Sequence, residues 1–285
     1  MEETYMNRKR KFKDLTIRDN FIFAAVMMLG DNCKKFLEML LGIEIKRIVI
    51  SYEKTLIYNP KYKGVRMDVY ANDEHNTRYD IEMQVANKEL GKRTRYYHSQ
   101  MDMDLLASGH DYRKLPSAYV IFICNFDPFN REKYCYTFEN RCLQDFSLSM
   151  GDESRSIFLS TEGKDAENIP KELKAFLDFI KSDTPEHNAA VNDAFVKVLQ
   201  ESIRSVKESR EMERSFMTLE ELQEWAQIEL SREYVMELAE ELGDVSKTLE
   251  ERIMSEEELE VLKVMLKAVA KADSLEQFEN LVFNI

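Results

Sequence analysis

VRMDVYA at residues 65–71 and RYDIEMQV at 78–85, joined by the polar run NDEHNT, decide how this sequence folds. Both arms alternate strictly. Val65, Met67 and Val69 share one face with Ile81, Met83 and Val85, while Arg66, Asp68 and Tyr70 share the other with Asp80, Glu82 and Gln84. The pattern predicts a β-hairpin. A turn centred on His75 sets Asp68 directly opposite Glu82, with Cβ atoms roughly 4.5–5.5 Å apart. Two carboxylates at that range repel each other unless a cation lies between them. Mg²⁺ suits the gap, because it accepts one or two carboxylates and completes its octahedron with waters and phosphate oxygens. Gln84 shares the face of Glu82 and is placed to orient an attacking water or touch a phosphate, and the Met83 backbone carbonyl offers a further ligand. In outline this is a phosphodiester hydrolysis site. Spacing alone leaves an alternative open, a half-buried hairpin whose acids merely line a wet face.

Outward from the hairpin, Lys46 to Ile57 is β-branched and reads as a strand. Before it, Phe21, Phe23, Ala24, Met27 and Met28, then Phe36, Leu37, Leu40 and Leu41, recur at helical spacing. They predict two helices broken near Gly30-Asp31-Asn32, the second ended by Gly42. Asp19 stands where a helix N-terminal acid belongs. After the hairpin, Lys88 to Gly109 reads as a helix, with Gly109 as its cap. SAYVIFIC at 117–124 is a continuous apolar run of strand length, as in a central strand covered on both faces. Arg131 to Glu139 and Ser154 to Ser160 read as two more strands. Beyond Pro170 the chain reads as helical throughout, over 171–182, 185–209, 217–241 and 255–281. The expected architecture is α/β, with a mixed central sheet flanked by helices and an all-helical C-terminal region. The expected division is a core over residues 1–165 and an acidic helical region over 166–285.

Composition narrows the function. With 44% hydrophobic residues in 285, wholesale disorder is excluded. The apolar run through Ile22 to Leu29 is far short of the roughly 20 residues that span a bilayer. The N-terminal MEETYMNRKRKFKD has no apolar core of a secretory signal, so the expectation is a cytoplasmic protein without membrane contact. Cys33, Cys124, Cys135 and Cys142 form no CxxC pair, and the four histidines form no HxxxH, which argues against structural zinc. No phosphate-cradling glycine motif or GxSxG is present. The net charge of −13 is unevenly spread. Residues 1–150 carry 24 Lys and Arg against 21 Asp and Glu, whereas residues 151–285 carry 16 against 32. The first part is able to approach a polyanion and the second repels one.

The hairpin is also where the chain resembles a known family. RMDVY at 66–70 followed by YDIEMQ at 79–84 resembles the D…ExQ form of the PD-(D/E)XK nuclease core, and in particular the recombination-promoting nucleases, also described as PD-(D/E)XK nuclease family transposases. The likeness continues through RDNFIFAAVM at 18–27, KRTRYYHSQMDMDLLASGHDYRKL at 92–115, YVIFICNFDPF at 119–129, YTFENRC at 136–142 and IFLSTEG at 157–163. It spans roughly residues 16–165 and weakens beyond about 215. The resemblance implies a restriction-endonuclease-like core and Mg²⁺-dependent DNA cleavage (Mn²⁺ being the alternative ion). Asp68 and Glu82 match the motif acids, and Gln84 stands where the wider superfamily has Lys, offering a dipole in place of a charge.

On the helix after the hairpin, Arg93, Tyr97 and Gln100 share a face, and with Arg95 they are the candidate DNA contacts, as phosphate ligands and base-stacking groups. Packing of the tyrosine in the core is the competing reading. Cutting both strands with one site per chain favours a homodimer, and the C-terminal helices have the length and apolar spacing to form its interface. The leading expectation is therefore a metal-dependent DNA endonuclease. Its alternative is a catalytically silent nuclease fold that binds nucleic acid or protein.

Overall fold

The computed structural model describes residues 12–56, 65–86, 89–106, 109, 111–181 and 192–283. Two compact units divide the chain, residues 1–209 and 210–285.

The first unit is built on a six-stranded mixed sheet. Its strands are β1 (Ile48–Leu56), β2 (Val65–Asp73), β3 (Arg78–Gln84), β4 (Ala118–Cys124), β5 (Cys135–Phe138) and β8 (Ser154–Ser160), in the order β1-β2-β3-β4-β8-β5. β2 and β3 form the expected hairpin. Tyr70 pairs with Asp80 and Val69 with Ile81, the register of a turn centred on His75. Asp73 organises that turn, its Oδ1 accepting from the His75 and Thr77 N–H groups at 2.9 Å and its Oδ2 from the Tyr79 hydroxyl at 2.8 Å. Asn76 takes a positive φ of 66°, which asparagine tolerates better than most residues.

β3, β4 and β8 run parallel, so the C-terminal ends of all three lie at one edge. The parallel step from β3 to β4 requires a crossover, which contains α3 (Leu90–Leu105). Tyr97 and Met101 of α3 pack on Val120, Phe122 and Cys124. Ile121 and Ile123, of opposite parity, are equally buried, so β4 is covered on both faces, as its unbroken apolar run required.

α1 (Asn20–Met28) and α2 (Asn32–Leu41) meet at the predicted break, and Gly42 closes α2 with a left-handed φ of 66°. Every residue of α1 from Phe21 to Met27 is buried. This helix packs against β1, β2 and β3 and also against α2 and α5 (Ala194–Glu208), which is why it is apolar all round. α4 (Lys171–Lys181) packs on α2 and α5. The first two described helices beyond residue 166 thus belong to the sheet-bearing unit, and the compact boundary lies at Ser209/Arg210.

Three sequence readings are corrected. A small antiparallel hairpin, β6 (Arg141–Cys142) with β7 (Asp145–Ser149), follows β5 where no strands were expected. α3 ends at Leu105 with Leu106 as its C-cap, before Gly109. The continuous helix expected over 255–281 is broken. In the second unit α6 (Arg210–Leu242) is followed by α7 (Lys247–Met254), α8 (Leu259–Val269) and α9 (Leu275–Val282). Ser246 and Ser274 accept backbone N–H groups as N-caps of α7 and α9. Leu249, Ile253, Leu262, Met265 and Phe278 form the apolar core of this unit. No described helix is long and apolar enough to cross a membrane. Residues 1–11 of the N-terminal segment read for a signal lie outside the described residues.

Candidate active site

At the C-terminal edge of β3 the hairpin ladder gives way to side chains. The Asp68 N–H donates to Glu82 Oε1 at 3.1 Å, and the Met83 N–H donates to Asp68 Oδ2 at 3.2 Å. Each carboxylate thus accepts from the backbone beside the other, and the two acids are braced across the strands. Asn20, the first residue of α1, adds a bond from Nδ2 to Asp68 Oδ1 at 3.0 Å.

The alternative of acids lining a wet face does not hold. Asp68, Asp80, Glu82 and Gln84 are all buried, Glu82 to 2% exposure and Asp80 to 0%. Register explains why. Asp80, Glu82 and Gln84 pair with Val120, Phe122 and Cys124, the residues of β4 that lie beneath α3.

Arg93, in the first turn of α3, supplies positive charge here. Its Nη1 donates to Gln84 Oε1 at 2.7 Å, and its Nη2 to the Tyr97 hydroxyl at 2.8 Å and to Glu82 Oε2 at 3.2 Å. The guanidinium also lies over the rings of Tyr97 and Phe122, 5.3 and 5.4 Å from their centroids. Gln84 Nε2 donates to Glu82 Oε2 at 3.2 Å. Gln84 is therefore fixed at both ends, one on the cation and one on the carboxylate.

One guanidinium faces three carboxyl groups. Burial first, and then the charge of Asp68, push the Glu82 carboxyl up to about 8 against the pull of the Asp68 N–H and of Arg93. Burial, with Glu82 and Asp68 nearby, also holds Asp80 well above the usual carboxylate range. Neither oxygen of Asp80 has a hydrogen-bond donor among the described residues, and a bond between Asp80 and Glu82 needs a proton on one of them. The site is short of positive charge. Asp68 and Glu82 fit a hard divalent ion on this ground. Among the described residues no three acidic, His or Cys side chains converge as a ready cage.

The other expected contacts separate by exposure. Arg93 keeps 28% of its side chain exposed and Arg95 is exposed, whereas Tyr97 and Gln100 are buried. Tyr97 packs on Phe122 at 6.1 Å between centroids, so its ring floors the site and offers no stacking platform. Asp19 holds the Thr16 N–H at 2.7 Å and makes no side-chain cap bond to α1. The contact to the site comes from its neighbour Asn20. Neither Asn20 nor Asp80 was singled out from sequence. For Asp80 a signal existed, since it lies two residues before Glu82 on the same face of the same strand.

No curated protein and no solved structure matches the chain. The sequence profile described as PD-(D/E)XK nuclease family transposase matches residues 31–231, which include the hairpin, α3 and the parallel strands. The mixed sheet flanked by helices, with further helices C-terminal to it, is consistent with the PD-(D/E)XK fold. With residues 31–231 of 285 matched, the chain belongs to the PD-(D/E)XK nuclease family transposases.

Proposed function

We propose that this chain is a Mg²⁺-dependent DNA endonuclease of the recombination-promoting type, with Mn²⁺ as an alternative ion. The observation that carries the reading is the cross-braced pair of Asp68 and Glu82, buried with too little countercharge. Family membership supports the nuclease class, and the arrangement of the site supports the finer statement. Asp68 and Glu82 hold the ion, with the Met83 carbonyl as a third protein ligand. The ion supplies an activated water and neutralises charge developing on the phosphate. Gln84, pinned between Arg93 and Glu82, presents an oriented dipole at the scissile phosphate, and Arg93 supplies the charge that Gln84 lacks. Arg93 and Arg95 contact the DNA backbone, while Tyr97 and Gln100 hold α3 against the sheet. One such site cuts one strand, so cleavage of both strands calls for two chains.

Supercoiled plasmid incubated with the protein and Mg²⁺ or Mn²⁺ tests this. Nicking by the parent that disappears in both Asp68→Asn and Glu82→Gln is the expected result. An inert parent, or nicking that survives both substitutions, would overturn the proposal.

A further inference from the structure

The two oxygens of Glu82 are already engaged by the protein. Oε1 accepts from the Asp68 N–H, and Oε2 accepts from both Arg93 and Gln84. A metal ion approaching Glu82 therefore meets a cation that is already seated there. Arginine keeps its charge at any working pH, so the two compete for one carboxylate. We infer that Arg93 is a resident counter-cation for Glu82, which DNA phosphate draws away, so that duplex and divalent ion load together. The inference rests on the nuclease reading above and adds how its site is regulated.

Three features support the exchange. The bond from Arg93 to Glu82, at 3.2 Å, is longer than its bonds to Gln84 and Tyr97, at 2.7 and 2.8 Å. Gln84 and Tyr97 are thus the firm anchors, and the hold on Glu82 is released without unseating the side chain. The guanidinium also rests on two aromatic faces, which tolerate a turn of the head group. Finally, Nε–H and the second Nη1–H have no partner among the described residues, and 28% of the side chain is exposed. A phosphate has both donors and access. Because coupling between two ligands is reciprocal, a duplex that moves Arg93 tightens the metal by the same factor that the metal tightens the duplex.

Electron paramagnetic resonance of free Mn²⁺ measures this without relying on turnover. The full chain is titrated with Mn²⁺ alone and again with a saturating short duplex bearing phosphorothioate linkages. The parent is expected to bind Mn²⁺ at least about fivefold more tightly with the duplex present. Arg93→Gln is expected to bind Mn²⁺ alone about tenfold more tightly than the parent and to show no further gain from the duplex. Arg93→Lys, which keeps the charge, is expected to behave like the parent and controls for folding. A merely structural arginine would not raise metal affinity when removed. Equal or weaker Mn²⁺ binding by Arg93→Gln, or an equal duplex effect in both proteins, overturns the inference and leaves the nuclease reading standing. A parent that takes up no Mn²⁺ in either condition overturns both.

Discussion

The edge of the sheet at Glu82 and the C-terminal helical unit treat charge in opposite ways. In the helical unit the core of Leu249, Ile253, Leu262, Met265 and Phe278 is wholly apolar, while Glu240, Glu250 and Glu251 lie exposed. Its partly buried charges come in matched pairs, Arg232 with Glu229 and Arg252 with Glu256. At the sheet edge, Asp68, Asp80 and Glu82 are buried, and one guanidinium, that of Arg93, reaches Glu82. Folding alone favours the first arrangement, because a buried carboxylate without a full set of partners costs stability. A chain that keeps the second does so for something the charges do. The contrast separates a region built to be stable from one that the proposed function assigns to binding a cation.

The contrast yields predictions of decreasing size. Asp68→Ala and Glu82→Ala are expected to lower plasmid nicking at least about a hundredfold while the protein stays folded by circular dichroism, since they remove the proposed metal ligands. Phe278→Ala is expected to do the reverse. It costs about 3–5 kcal/mol in denaturant unfolding of its own unit, with nicking per folded molecule retained. Equal effects of these substitutions on nicking would erase the distinction between the two regions.

A pH series sharpens it. Burial and the charge of Asp68 push the Glu82 carboxyl well above its ordinary 4.5, up to about 8, so within that range the folded state holds a proton that the unfolded chain releases. Its contribution is therefore a stability that declines as pH rises from about 4.5 toward 8. Denaturation midpoints across that window are expected to fall for the parent and to fall less steeply in Glu82→Gln, where only the raised Asp80 still contributes. Saturating Mg²⁺ should also flatten the series, by replacing the proton. Asp80→Asn, which removes a buried charge while keeping the shape, is expected to stabilise the metal-free protein by about 1–3 kcal/mol at pH 8. The exposed Glu240→Gln serves as its counterpart and is expected to change stability by less than about 0.5 kcal/mol.

The hairpin was legible because strand alternation has period two and a turn read as centred on His75 sets polar face against polar face. Those two facts gave the register that the structure contains. Burial of its polar face was not legible, because alternation looks the same whether the polar side meets water or a charged site beneath a helix. Only the placement of α3 over Phe122 decides it. β4 was readable from its apolar run, and the α1–α2 break from Gly30-Asp31-Asn32. The helix expected over 255–281 was read as unbroken, since Glu, Leu and Lys favour helix throughout and a single serine, Ser274, caps the helix that restarts within it, whereas the helix read over 217–241 runs longer, from Arg210 to Leu242. Arg93 was found as a cation on the right face of α3. Its bonds to Glu82 and Gln84 depend on how α3 crosses the sheet, which no local pattern encodes. Asn20 touches Asp68 from 48 residues away.

Isothermal calorimetry of Mg²⁺ into the full chain, with duplex present, tests the central claim most directly. The account predicts saturable uptake of the ion by the parent, lost in both Asp68→Asn and Glu82→Gln and accompanied by proton release near pH 7. Absence of uptake by the parent, or undiminished uptake by the two variants, would contradict it.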